Sequence, residues 1–171
     1  MTMTLLDAVK LMIVLSESTA TNLVLDRLAP THAERMRIVN DFLQQSGLRN
    51  TKLLNRLYTP KTKLQTPEAL RYGIGMSTPE DMVLLMEKLY NKTLASVSSC
   101  DAMLDILKRQ EFKDMVPRLL PRDECKQFDV AHKTGWINES KVDVALVLTD
   151  KIEYAVAIFI DKPDLVAHAC R

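Results

Sequence analysis

The fold class that this sequence predicts is α+β, an antiparallel sheet sandwiched between helical layers, and three observations predict it. Residues 1–120 place their apolar residues at helical spacing, interrupted by capping and loop residues. Residues 126–162 place them at strand spacing. The connections in that second part are short and turn-like, which makes the strands antiparallel. At 171 residues the chain is long enough to bury a real core, and the whole span 1–171 reads as one domain.

Each helix has its own warrant. Leu5, Leu6, Val9, Met12 and Ile13 share one helical face, and that helix stops near Ser16. A second short helix carries Val24, Leu25 and Leu28 before Pro30 interrupts. Thr31 with Glu34 makes a capping box, Met36, Val39, Phe42 and Leu43 follow at helical spacing, and Gly47 supplies the stop. Residues 48–77 are less regular and contain Pro60, Pro67, Gly73 and Gly75; a loop of that length is usually functional or mobile. Thr78, Pro79, Glu80 and Asp81 then start a helix whose buried face is Met82, Leu85, Met86 and Leu89. A further helix over roughly 99–110 turns Met103, Ile106 and Leu107 inward.

Three strands complete the prediction. Over 128–135, Val130, His132 and Thr134 alternate with Ala131, Lys133 and Gly135. Over 142–148 both faces are apolar except at Asp143. Over 153–160, Tyr154, Val156, Ile158 and Ile160 alternate with Ala155, Ala157 and Phe159. Two strands that are apolar on both faces need cover on both sides, which is the reason for a sandwich.

Composition excludes several function classes. The apolar share is 47% and the charged share 26%, with 23 Lys+Arg against 22 Asp+Glu, so nothing calls for nucleic acid or an anionic membrane. No apolar run is long enough for a membrane span. The opening "MTMTLLDAVKLMIVLSES" is interrupted by Asp7 and Lys10, lacks a basic lead and a small-residue cleavage site, and reads as an amphipathic helix rather than a signal peptide. Cys100, Cys125 and Cys170 form neither a metal pattern nor a disulfide framework and read as isolated thiols.

Phosphate-binding glycine loops, His-Glu-x-x-His, Cys-x-x-Cys and Gly-x-Ser-x-Gly are all absent. His132 reads as a packed or surface histidine. Two stretches remain. Ser16-Glu17-Ser18 ends the first helix, where serine also serves simply as a cap. Lys133-Thr134-Gly135 ends a strand, where a solvated lysine is equally ordinary, and such a triplet arises by chance in roughly a few per cent of chains this long.

Order and context tie the two together. "LMIVLSESTATNLVLDRL" resembles the helix–loop–helix around the Ser-x-Asn motif of the class A β-lactamases and their penicillin-binding relatives. "STPEDMVLLMEKLYN" is similar to the helix after their Ω-loop, "ILKRQEFKDMVPRLLP" to the next helical stretch, and "VAHKTGWINESKVDVALVL" to the strand bearing their Lys-Thr-Gly motif and its neighbour. The similarity runs from about residue 4 to residue 160 in the family's order.

The resemblance implies a β-lactamase-like catalytic domain and acyl transfer on serine, with β-lactam breakdown and antibiotic resistance as the associated biology. Ser16 matches the serine that relays a proton toward the leaving nitrogen. Lys133 matches the lysine that holds that serine and attracts the substrate carboxylate. Ser18 and Thr134 match substrate-binding positions, Gly135 lets the acyl group approach the strand, and Trp136 lines the strand edge. The implied ligand is a β-lactam or a D-Ala-D-Ala-like small molecule. No metal or other cofactor is implied. Export to the periplasm or outside the cell is the family's habit, although this chain carries no export signal.

Three departures qualify the match. No serine in these residues is followed by lysine at the third position after it, so the Ser-x-x-Lys nucleophile is missing. The chain therefore reads as the C-terminal part of a longer protein, inactive alone, with an incomplete fold whose strand near 153–160 is an exposed edge inviting a homodimer. Ser18 stands where the family has Asn. The deacylating Glu of the Ω-loop falls near Leu57 when counted forward from Thr51 and near Thr62 when counted back from Ser77; the nearest acid is Glu68, which reads as an ordinary first-turn residue. These departures keep a non-catalytic, penicillin- or peptidoglycan-binding remnant as the alternative.

Overall fold

A computed structural model describes residues 3–59, 64–120, 128–137 and 140–161. Cys125, Cys170 and Thr62 lie outside the described residues. The chain divides into two compact units, Met1–Asp81 and Met82–Arg171.

The first unit contains α1 (Leu5–Val14), α2 (Ser18–Asp26), α3 (His32–Gln45), β1 (Lys52–Leu53), α4 (Pro67–Tyr72) and β2 (Gly75–Met76). Helix starts follow the sequence closely. Thr31 and Glu34 form the expected capping box, and Thr4 with Asp7 forms another on α1. In both boxes the threonine hydrogen bonds hold the carboxyl below its ordinary pKa. Gly47 ends α3 at φ 85°, a left-handed angle that glycine adopts without strain.

Two expectations change. Leu28 is not helical: α2 ends at Asp26, the amides that follow bond three residues back, and Arg35 holds the carbonyls of Ala29 and Pro30 at 2.6 and 2.8 Å. Of the apolar face drawn for α1, Leu5 and Leu6 are exposed and Ala8 is the buried residue.

The irregular stretch is ordered by side chains rather than by periodicity. β1 and β2 pair antiparallel, Lys52 opposite Met76 and Leu53 opposite Gly75. A Cβ on Gly75 would lie 2.7 Å from the Lys52 carbonyl oxygen, so the ribbon needs a glycine there. Asn40 clamps Leu53, donating to its carbonyl at 2.9 Å and accepting from its N–H at 2.8 Å. Buried Asn55 donates to the Gly73 carbonyl and accepts from the Leu64 N–H. Buried Asp81 accepts from the Asn50 N–H at 2.8 Å and from the Thr51 hydroxyl at 2.7 Å.

The division between units falls in α5 (Pro79–Tyr90), which starts as predicted, with the Asp81 N–H on the Thr78 hydroxyl. The second unit continues with α6 (Val97–Leu107), a short α7 (Val116–Leu119), and β3 (Asp129–Ile137), β4 (Ser140–Leu148) and β5 (Glu153–Asp161). The sheet order is β3-β4-β5, all antiparallel, with Thr134 opposite Asp143 and Ala145 opposite Val156.

Both faces of the sheet are packed. Ala131, Val144 and Leu146 meet Met86, Leu89, Cys100 and Leu104 of α5 and α6. The alternate residues Ala145 and Val147 meet Val116, with Val130 and Val156 beside them. That is the predicted sandwich, with β4 as its buried centre. β5 is less covered than its sequence suggests; no residue of it is fully buried. No described helix is long and apolar enough to cross a membrane.

Candidate functional site

The residues singled out from sequence fall into two groups, one in each unit. In the first unit, Ser16 occupies the turn between α1 and α2 with φ 53°. A left-handed serine is strained, by roughly 1–3 kcal/mol, and survives where its surroundings fix it. Here the Glu17 N–H bonds back to the Leu11 carbonyl at 3.1 Å, and the Glu17 carboxylate caps α2 by accepting from the Ala20 N–H at 2.6 Å. Ser16 is exposed, and Ser18, the first residue of α2, is half-buried.

One turn further along α2, Asn22 donates to the Leu57 carbonyl at 2.9 Å and accepts from the Leu57 N–H at 3.2 Å. Sequence reasoning missed Asn22, although its spacing of four from Ser18 places both on one helix face. The clamp brings the loop position reached by forward counting, Leu57, onto the helix that carries Ser18. A leucine there has no group to activate water. Glu68 is occupied elsewhere: it lies in the first turn of α4 and pairs with Lys52 at 3.2 Å.

In the second unit, β3 carries Lys133, Thr134, Gly135 and Trp136 on consecutive residues. Lys133 is half-buried and donates from Nζ to the Thr134 carbonyl at 2.6 Å. Burial pushes its pKa below the ordinary lysine value, and the Asp143 carboxylate pulls it back up. Thr134 is only 7% exposed, so a ligand has narrow access to its hydroxyl. Gly135 has a reason within the sheet as well: an added Cβ would lie 2.9 Å from Cγ2 of Val142, its cross-strand partner. Trp136 is 66% exposed and meets Phe112 edge-to-face, ring centroids 6.5 Å apart and planes at 63°. Phe112, from the segment between α6 and α7, gave no periodic signal in the sequence.

Beneath this strand lies a buried polar pair. His132 and Asp143 are each 1% exposed, with Nδ1 and Oδ1 3.2 Å apart. The second Asp143 oxygen accepts from the Val116 N–H at 3.0 Å. The histidine is therefore packed, one of the two readings its position allowed. Among the described residues, no cluster of His, Cys, Asp and Glu is arranged to hold a metal ion.

A family model described as the beta-lactamase enzyme family matches residues 1–169. No curated protein matches. Among solved structures, the chain is similar to a beta-lactamase from Sphaerobacter thermophilus DSM 20745, at 28% identity and a TM-score of 0.77, covering 94% of this chain and 55% of that one. It is similar to PBP-A at 30% identity and a TM-score of 0.75, over 94% of this chain and 54% of that one. The chromosome-encoded beta-lactamase of Vibrio parahaemolyticus shares the fold, at 22% identity and a TM-score of 0.77, over 98% of this chain and 59% of that one. The chain thus spans little more than half the length of the structures it matches.

Proposed function

The chain belongs to the beta-lactamase enzyme family, and from that premise we propose that it supplies the Lys-Thr-Gly part of a serine acyl-transfer site for β-lactams or D-Ala-D-Ala-like ligands. The observation that carries this reading is Lys133-Thr134-Gly135 on the edge strand β3, with Lys133 half-buried. A desolvated ammonium is a strong attractor for a ligand carboxylate. In the proposal Lys133 and Thr134 bind that carboxylate, Ser16 relays a proton, Ser18 and Trp136 contact the ligand, and Gly135 leaves the strand open to its acyl group. The whole chain acts as one catalytic domain. The nucleophile is assigned to a Ser-x-x-Lys segment outside these 171 residues, because no serine here has that spacing.

The test is intact-mass detection of a covalent penicillin adduct. We expect an adduct when the chain is produced joined to a Ser-x-x-Lys segment, none with the 171 residues alone, and a large loss of adduct on Lys133→Ala in the joined form. A joined form that folds and never acylates would overturn the reading.

A second reading is favoured by Leu57. With leucine clamped at the loop position, that position offers no carboxylate to activate water, and the reading is then of a protein that binds penicillin and releases it slowly rather than hydrolysing it. PBP-A, of which a mutant was solved as an acyl-enzyme complex with penicillin-G, makes that class of behaviour a fair comparison. Leu57→Glu is expected to shorten the adduct's lifetime; an unchanged lifetime would remove Leu57 from the account. A reversible binder that never acylates would instead match the non-catalytic remnant.

A further inference from the structure

We infer that Phe112 and Trp136 form an aromatic wall at the end of the Lys-Thr-Gly strand. The wall selects ligands in which a flat ring lies close to the carboxylate, and Phe112 is the specificity-determining residue. The inference rests on the reading of Lys133 and Thr134 as a carboxylate site.

The two rings are placed by different means. Side chains alternate along β3, so His132, Thr134 and Trp136 share one face of the sheet. His132 and Thr134 are buried there, while Trp136, further along, is largely exposed. Phe112 arrives from the segment after α6. Fully buried Gln110 accepts the Phe112 N–H on Oε1 at 3.1 Å. The Arg109 and Gln110 amides bond back to the Ile106 and Leu107 carbonyls, so the backbone leading to Phe112 is tied down. Its ring then meets the indole edge-to-face.

Core packing does not account for the pair. Neither ring belongs to the two apolar clusters that pack the sheet, and both are exposed. A single exposed apolar residue is ordinary on a protein surface. Two rings held edge-to-face, each with open area, make a preformed surface on which a third ring can stack.

The neighbouring charges say what that third ring carries. Lys133 starts on the opposite face, but its Nζ reaches the Thr134 carbonyl, in the peptide that leads to Gly135. Exposed Lys141 lies directly opposite Trp136 across the ladder. A carboxylate beside the indole thus has ammonium groups within reach. The acid on the same face, Asp143, is buried and occupied by His132 and the Val116 N–H. Glu111 and Asp114, with Lys113 between them, are exposed around Phe112, where water screens them. Thr134 and Trp136 are two residues apart, about 7 Å along the strand. The ligand class is therefore an aryl-bearing carboxylate with its ring and its anion about that far apart.

The chain has a single tryptophan, so the Trp136 indole N–H is a unique NMR signal. The full ¹⁵N-labelled chain is titrated with phenylacetylglycine and with acetylglycine, which lacks the ring. Phenylacetylglycine should shift the indole signal saturably and bind about two- to tenfold more tightly than acetylglycine. Phe112→Leu keeps apolar bulk and removes the ring, so phenylacetylglycine should fall to the level of acetylglycine. Phe112→Tyr should retain the preference. Equal affinities in the unaltered chain, an unmoved indole signal, or a preference that survives in folded Phe112→Leu would overturn the proposal. Lys133→Ala separates this inference from the reading beneath it. If that variant binds phenylacetylglycine as the unaltered chain does, while the ring preference still depends on Phe112, the carboxylate role of Lys133 falls and the wall stands. If Lys133→Ala loses both ligands and the ring makes no difference, the wall falls and the functional reading stands.

Discussion

Replacing Asn22 by alanine isolates the contact between α2 and the loop that carries Leu57. The wild-type side chain makes two hydrogen bonds to the Leu57 backbone, at 2.9 and 3.2 Å, between partly buried groups. Each neutral bond is worth about 1 kcal/mol net, so the substitution favours local opening by about 2 kcal/mol. At about 1.4 kcal/mol per factor of ten, the Leu57 amide should exchange with deuterium roughly thirtyfold faster. Asn22→Asp keeps the acceptor for the Leu57 N–H and loses the donor to its carbonyl, so its effect should fall between alanine and wild type. Leu53 is the internal reference, because a different side chain, Asn40, clamps it. Exchange at Leu57 should rise while Leu53 holds. Equal acceleration at both amides would mean that Asn22 supports the unit globally, and no acceleration would mean that the loop is held by something else; either result refutes the clamp.

Other perturbations follow from the same geometry. Lys133 titrates below ordinary lysine, so between its folded and unfolded values the unfolded chain binds more protons and stability rises with pH. A carboxylate probe read by calorimetry should therefore lose affinity in that window while denaturant stability increases slightly. Leu146→Ala, in the core against α5 and α6, should cost about 2–5 kcal/mol in denaturant titrations with an unchanged slope. The unaltered chain should self-associate in sedimentation runs through the apolar edge of β5, and Ile158→Lys should shift it toward monomer. A sharp monomer before any substitution would leave that edge without a role.

The fold was legible wherever periodicity or capping was strong. Thr31 with Glu34 and Thr78 with Pro79 mark helix starts because the hydroxyl satisfies an amide that the helix leaves open, and that chemistry is written in three or four adjacent residues. The three strands were legible because β4 can be buried on both faces only between layers. What escaped was order created by distant side chains. Residues 48–77 have no period, yet Asn40, Asn55 and Asp81 pin Leu53, Gly73 and Asn50 among them through backbone hydrogen bonds. No local pattern distinguishes a clamping asparagine from one in an ordinary turn. Leu28 failed for a related reason: apolar spacing extends a helix on paper, while Arg35, further along the chain, draws the backbone out of it.

The site shows the same split more sharply. Lys133, Thr134 and Gly135 are adjacent, so a motif could find them; groups that meet across strands are adjacent only through the sheet. His132 and Asp143 are 11 residues apart in sequence and become a pair because β3 and β4 turn back on each other. Asn22 and Leu57 are 35 apart and meet across a loop. In each case the fold supplies a contact that no short motif contains. For Lys133, burial lowers the pKa and the Asp143 charge partly offsets that lowering. The Lys-Thr-Gly stretch is therefore legible in the sequence, while the surroundings in which its lysine sits are legible only in the fold.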